Sequence, residues 1–228
     1  MNTHIVKAFD AELDGLGQKI AEMGGIAEKM MSDAMDALSD LNSELARAVI
    51  TTDMRLDTLQ RDIEESATLT IARRQPMAVD LRQIIGAIRV AGDLERVGDL
   101  AKNIAKRTLR ATGEMRLPRA VVGLKHMNDV AALQLKNVLD AYAQRDVEKA
   151  REVWAKDVEL DALEDSIFRD LLTSMMEDPR NIGFCTSLLF VSKNIERIGD
   201  HATNIAETVF YLVTGSTLPA DRPKGKTA

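Results

Sequence analysis

Cysteine is almost missing from this chain: Cys185 is the only one in 228 residues. A lone thiol closes no internal disulfide and builds no cysteine-based zinc cage, and it points only weakly to a reducing compartment. Proline (5) and glycine (13) are also scarce, which disfavours an all-β sandwich needing a turn every ~8–12 residues. Apolar runs are short, as at 188–191, and nothing approaches the ~20 residues of a membrane span. The first seven residues, MNTHIVK, carry no apolar targeting core, so a cytoplasmic protein with no membrane insertion is expected. A basic excess is absent too: 30 Lys+Arg stand against 36 Asp+Glu, a net charge of −6. That balance argues against nucleic acid as a partner.

Good helix formers make up much of the rest, and with 45% hydrophobic residues there is enough to bury a core. The fold class expected is all-α. Apolar residues recur three and four apart from Phe9 through Leu16, Ile20, Met23, Ala27, Met30, Ala34, Leu38 and Leu41, one stripe of a long helix. Gly24-Gly25 interrupts it, either at a kink or at a close helix contact. Further helices are expected from about Asp53 to Arg74, Met77 to Ala111, Pro118 to Tyr142, Asp157 to Glu177, and Pro179 to Val213. Pro76 separates the second from the third, and Gly113 to Pro118 reads as a joint. Beyond Gly215 two prolines, several charges and no periodicity predict a disordered tail over 215–228.

Self-similarity reorganises this picture. Residues 94–105, LERVGDLAKNIA, align without gaps on 195–206, IERIGDHATNIA, with identity at 8 of 12 positions. Residues 44–59 align on 148–163, pairing Asp53 with Asp157 and Asp57 with Asp161. The chain is a tandem duplication: two pseudo-symmetric three-helix bundles, over residues 1–112 and 113–214.

Each copy keeps Asp-x-x-x-Asp (Asp53/Asp57, Asp157/Asp161) and Glu-x-x-x-Asp (Glu95/Asp99, Glu196/Asp200). Four-residue spacing puts both carboxylates on one helix face, with β-carbons ~5–6 Å apart. In an antiparallel hairpin, residues whose numbers share a constant sum lie opposite each other. Asp53/Asp99 and Asp57/Glu95 share one sum, with the pivot at Pro76. Asp157/Asp200 and Asp161/Glu196 share another, with the pivot between Asp178 and Pro179. Each half is thus predicted to gather four carboxylates roughly 26–29 Å from its turn, with Asn103 or Asn204 one helical turn further on.

Carboxylates so close repel and raise one another's pKa unless something neutralises them. A hard cation held by oxygen ligands is the usual remedy: Mg²⁺, Mn²⁺, Ca²⁺ or iron. A solvated acidic face with Lys and Arg partners is the alternative, and Arg96 and Arg197 keep it open. His201 replaces Leu100 of the first copy and is either an extra ligand or a surface histidine. Gly98 and Gly199, mid-helix between the acids, suggest close helix approach. No histidine lies three residues after a glutamate, as a carboxylate di-iron bundle requires, and no repeated nucleophile–base pair or glycine-rich phosphate loop is present. A non-enzymatic adaptor leads on these grounds; a carboxylate-cluster metalloenzyme or a metal-storage protein is the alternative. Trp154 and Cys185 are expected in the core, as are most of the eleven methionines.

The duplicated Glu-Arg-x-Gly-Asp-x-x-x-Asn-Ile-Ala, over residues 5–214, resembles the PhoU family of bacterial phosphate-transport accessory proteins. The resemblance implies a divalent or trivalent metal (Mg, Mn or Fe) on Asp53, Asp57, Glu95, Asp99, Asp157, Asp161, Glu196 and Asp200. Asn103, Asn204, Arg96, Arg197 and His201 are then additional ligands or supporting residues. It further implies a homodimer that dampens the phosphate-starvation response, linking the ATPase subunit of the Pst ABC transporter to a PhoR-type sensor histidine kinase.

Overall fold

Seven α-helices follow the apolar periodicity in a computed structural model that describes residues 2–110 and 118–219, with side chains over 9–110 and 119–219; among these residues there is no strand. The helices are α1 (Asn2–Ser39), α2 (Ser43–Arg74), α3 (Val79–Arg110), α4 (Pro118–Gln144), α5 (Val147–Ala155), α6 (Asp157–Glu177) and α7 (Ile182–Thr214). One 3₁₀ turn, Pro179–Asn181, joins the last two. The expected joint at 113–118 lies outside the described residues except for Pro118, which opens α4. The expected disordered tail also lies outside them beyond residue 219.

The duplication extends to a turn that apolar periodicity does not mark. Leu41 and Arg145 both take positive φ (50° and 56°). The next amide in each case reaches back to end the preceding helix, Asn42 N to Ala37 O and Asp146 N to Ala141 O. Asn42 and Asp146 then cap the following helix: the Asn42 side chain accepts from the Glu44 and Leu45 amides, and Asp146 from that of Lys149. This cap is why α2 begins at Ser43 rather than near Asp53.

The halves differ in the middle. Where α2 is unbroken, the second half changes direction at Lys156 (φ −85°, ψ 0°), splitting α5 from α6. The Lys156 carbonyl accepts from the Glu159 amide at 3.0 Å and from the Gln134 side chain of α4 at 3.1 Å.

One continuous apolar core runs through both halves, from Ile20, Met30 and Leu56 to Leu135, Leu160 and Ile195. Cys185 is fully buried, Trp154 packs at the core's edge, and Met176 is exposed, unlike Met30 and Met31. α3 and α7 lie side by side and antiparallel across the middle. Gly86 meets Leu212, Arg89 lies 5.5 Å from the Tyr211 ring, and Arg107 lies 4.1 Å from that of Phe190. α1 and α4 pack the same way: a Cβ on Gly24 would stand 2.7 Å from Leu139 Cδ1, so close contact, not a kink, accounts for that glycine.

Removing the cap with Asn42→Ala should cost about 1 kcal/mol of unfolding free energy. Urea denaturation measures this; an unchanged midpoint would mean the Asn42 side chain contributes nothing.

Candidate functional site

In the first half the hairpin of α2 and α3 brings its acidic pairs to one level. Asp53 is buried, and Asp57, Glu95 and Asp99 are half-buried around it. Gly98 makes this possible: a Cβ there would overlap Leu56 Cδ1 and lie 3.7 Å from Asp53 Oδ1. Into the cluster comes a residue that the two copies do not share. Lys102 Nζ stands 2.5 Å from Asp53 Oδ2 and 2.5 Å from Asp99 Oδ1. Burial pushes the Asp53 carboxyl up, Lys102 draws it back, and Asp57 and Asp99 push it up again. Burial likewise raises Glu95, with Asp99 adding to it. For Lys102 burial acts downward, but the two carboxylate hydrogen bonds outweigh it and hold the ammonium well above the usual lysine range. Arg96, 63% exposed, reaches Glu95 at 3.4 Å and Asp99 at 3.6 Å from the solvent side.

The second half repeats the close approach, since a Cβ on Gly199 would overlap Leu160 Cδ1. Asp157 is buried, and Asp161, Glu196 and Asp200 are half-buried. Thr203 stands in the place of Lys102; its hydroxyl bonds to Gly199 O at 3.0 Å and lies 3.4 Å from Asp157 Oδ1. A fifth carboxylate joins here. Glu164, where the first half has Gln60, is pushed up by burial and by the charges of Glu196, Asp165 and Asp161, against the pull of Lys193. Lys193, 57% exposed, meets Glu196 Oε1 at 2.8 Å, while Glu196 Oε2 is buried and has no hydrogen-bond partner.

Several predicted supporting residues are placed differently. Asn103 and Arg197 are exposed. His201 and Asn204 turn toward the first half, where His201 Nδ1 lies 2.9 Å and Asn204 Nδ2 3.3 Å from Asp93 Oδ1. They link α7 to α3, which the sequence pattern does not register because Asp93 is unduplicated. Beside them an open cleft of about 860 Å³ is lined by Arg89, Asp93, Glu95, Asn204, Tyr211 and the chain at 217–219. Residues 217–219 border this cleft.

Comparison with known proteins decides the family. The PhoU domain matches twice, over residues 20–108 and 124–209. The chain belongs to the PhoU family. The phosphate-specific transport system accessory protein PhoU homolog of Rhizobium meliloti is 55% identical over 98% of this chain and 94% of its own length. The homolog from Caulobacter vibrioides (strain NA1000 / CB15N) is 48% identical over 98% and 97%. The crystal structure of PhoU from Pseudomonas aeruginosa superposes with a TM-score of 0.87 at 39% identity, covering 91% of this chain and all of that one. The phosphate transport system regulatory protein PhoU from Streptococcus pneumoniae gives 0.85 at 29%, covering 92% and 99%.

Among the described residues, no group of three or more His, Cys, Asp or Glu side chains stands arranged to hold a metal ion. In the first half Lys102 fills the space between Asp53 and Asp99. In the second half Glu196 Oε2 is buried without a hydrogen-bond partner.

Two outcomes follow. Gly98→Ala should lower stability by about 1 kcal/mol net, overpacking against Leu56 exceeding the gain in helix propensity; a stabilised variant in urea denaturation would show that Leu56 yields freely. Lys102→Met should destabilise by roughly 1–3 kcal/mol at pH 7, by stranding the buried Asp53. Asp53 then has a folded pKa further above its unfolded value of ~4. The folded state takes up a proton as pH falls through that window, so the deficit narrows toward pH 5. Denaturation at the two pH values tests this; a deficit that widens toward pH 5 contradicts it.

Proposed function

We propose that this PhoU-family chain is a non-enzymatic regulator of phosphate uptake and a negative regulator of the phosphate-starvation response. The observation that carries this reading is near full-length similarity, through both halves, to relatives named as phosphate-specific transport accessory proteins. In this reading it acts in the cytoplasm as a homodimer, coupling the ATPase subunit of the Pst transporter to a PhoR-type sensor kinase. Long rigid helices suit that work, since two partners can be held at a fixed spacing along a single packed core.

The acidic clusters are read as sites for a divalent or trivalent metal (Mg, Mn or Fe), with Asp157, Asp161, Glu196 and Asp200 in the second half and Asp53, Asp57, Glu95 and Asp99 in the first. Such an ion would neutralise carboxylates that the fold forces together and so fix the surface presented to a partner. No nucleophile is paired with a base among the repeated residues, which fits a scaffold rather than a catalyst.

Cells lacking the protein should express alkaline phosphatase, or an equivalent phosphate-starvation reporter, at a constitutively high level in ample phosphate. An unchanged signal, with no second PhoU-like protein present, would remove the regulatory reading. Asp99→Ala combined with Asp200→Ala should lower the metal content found by elemental analysis; equal content would remove these residues as ligands.

A further inference from the structure

Where the two halves meet, α1, α3, α4 and α7 leave an open groove of about 790 Å³ that neither acidic cluster lines. Its walls are mainly apolar, carrying Leu13, Leu16 and Ile20 of α1, Ala87 of α3, Leu139 of α4 and Leu212 of α7. Small-molecule sites are of this size, ~300–1,000 Å³. The α1 wall leaves room for a ligand: a Cβ on Gly17 or Gly25, both of which line the groove, would meet nothing within 4 Å.

Among the described residues a single cation lines the groove, Arg145, which is exposed at its mouth. Arg145 holds the left-handed position (φ 56°) that Leu41 holds in the first half (φ 50°). Its guanidinium reaches across to α3, where the Gln83 carboxamide oxygen, turned toward it, accepts from Nη1 at 2.8 Å and also from Nη2. An amide orients the guanidinium without neutralising it. Among the described residues no ion pair includes Arg145, and the neighbouring Asp140 is held by Lys149 at 2.9 Å. Burial pushes the Tyr142 phenol up to about 12 while Arg145 draws it back, so its hydroxyl is protonated at neutral pH and adds a second donor. Of the other two acids on the walls, Asp14 is exposed and Glu28 stands at the far end. In the antiparallel register that sets Gly24 beside Leu139, Arg145 falls beside Gln18. Glu28 is then roughly 15 Å further along α1 at ~1.5 Å per residue. Apart from Asp140 and Tyr142, the walls over that length are apolar.

We infer that this groove binds a single-chain amphipathic anion of the fatty-acid class, its carboxylate on Arg145 and its hydrocarbon chain running along α1 toward Glu28. A planar carboxylate matches the guanidinium fork. One guanidinium among three acids favours a monoanion over a phosphate dianion. A flexible unbranched chain suits a channel that follows α1 for several turns and offers it apolar contact throughout.

The test titrates the full chain, freed of bound lipid, with dodecanoate below its micelle-forming concentration, the heat of binding giving affinity and stoichiometry. One molecule per chain is expected. Arg145→Leu, which installs the side chain that Leu41 carries at the same φ, should weaken dodecanoate about ten-fold. It should leave dodecanol, which lacks the charge, unchanged. Gly17→Leu should fill the groove and abolish binding of both, with no fall in Tm, because leucine outranks glycine in a helix. Gly25→Leu blocks the groove further along and replaces that variant should it fold poorly. No saturable binding to the parent chain would overturn the inference. Equal dodecanoate affinity in Arg145→Leu would overturn the head-group assignment, and full binding in both glycine variants would overturn the site itself.

Discussion

Carboxylates held closer than they would choose to be are the constraint on which this structure turns. Each hairpin brings its two acidic pairs to one level, and Gly98 and Gly199 let Leu56 and Leu160 press against the opposite helix there. Once backbones approach this closely, the acids cannot splay apart without opening the core, because Leu56 and Leu160 are themselves buried. The repulsion must be met by positive charge instead. In the first half a lysine from the same helix meets it. In the second a threonine stands at that position and a further glutamate has been added.

Divergence between the copies follows the same logic elsewhere. The capped turn between the first two helices is kept in both, with Asn42 and Asp146 as N-caps after a residue in the left-handed region. The helix after it is not kept. Lys156 breaks it, and its carbonyl accepts from both the Glu159 amide and Gln134 of the neighbouring helix. The second cluster thus begins at a helix N-terminus, with Asp157 as the first residue of α6. That end of a helix favours negative charge, whereas Asp53 lies mid-helix and has Lys102 in direct contact.

The halves are joined through their last helices. α3 and α7 pack antiparallel along one core, with Asp93 receiving both His201 and Asn204. The two motif-bearing helices therefore touch each other as well as their own hairpin partners. A change in charge at one cluster is separated from the other by packed helix, not by a flexible linker.

Helix content, the duplication, the hairpin pairing and the eight shared acids were all legible in the sequence. Each depends on spacing along the chain, and a helix converts spacing directly into position on a face. What spacing does not encode is what reaches a site from a neighbouring position or element. Lys102 carries no repeat signal, because its counterpart is Thr203. Glu164 carries none for the same reason, its counterpart being Gln60. His201 and Asn204 follow Asp200 in the sequence, but the packing of α7 on α3 brings both to Asp93. The sequence by itself determined an all-α tandem duplication with acids at one level of each hairpin. Only tertiary packing decided which acids are buried, which cation meets them and how the halves differ, because side-chain partners are chosen by proximity in space.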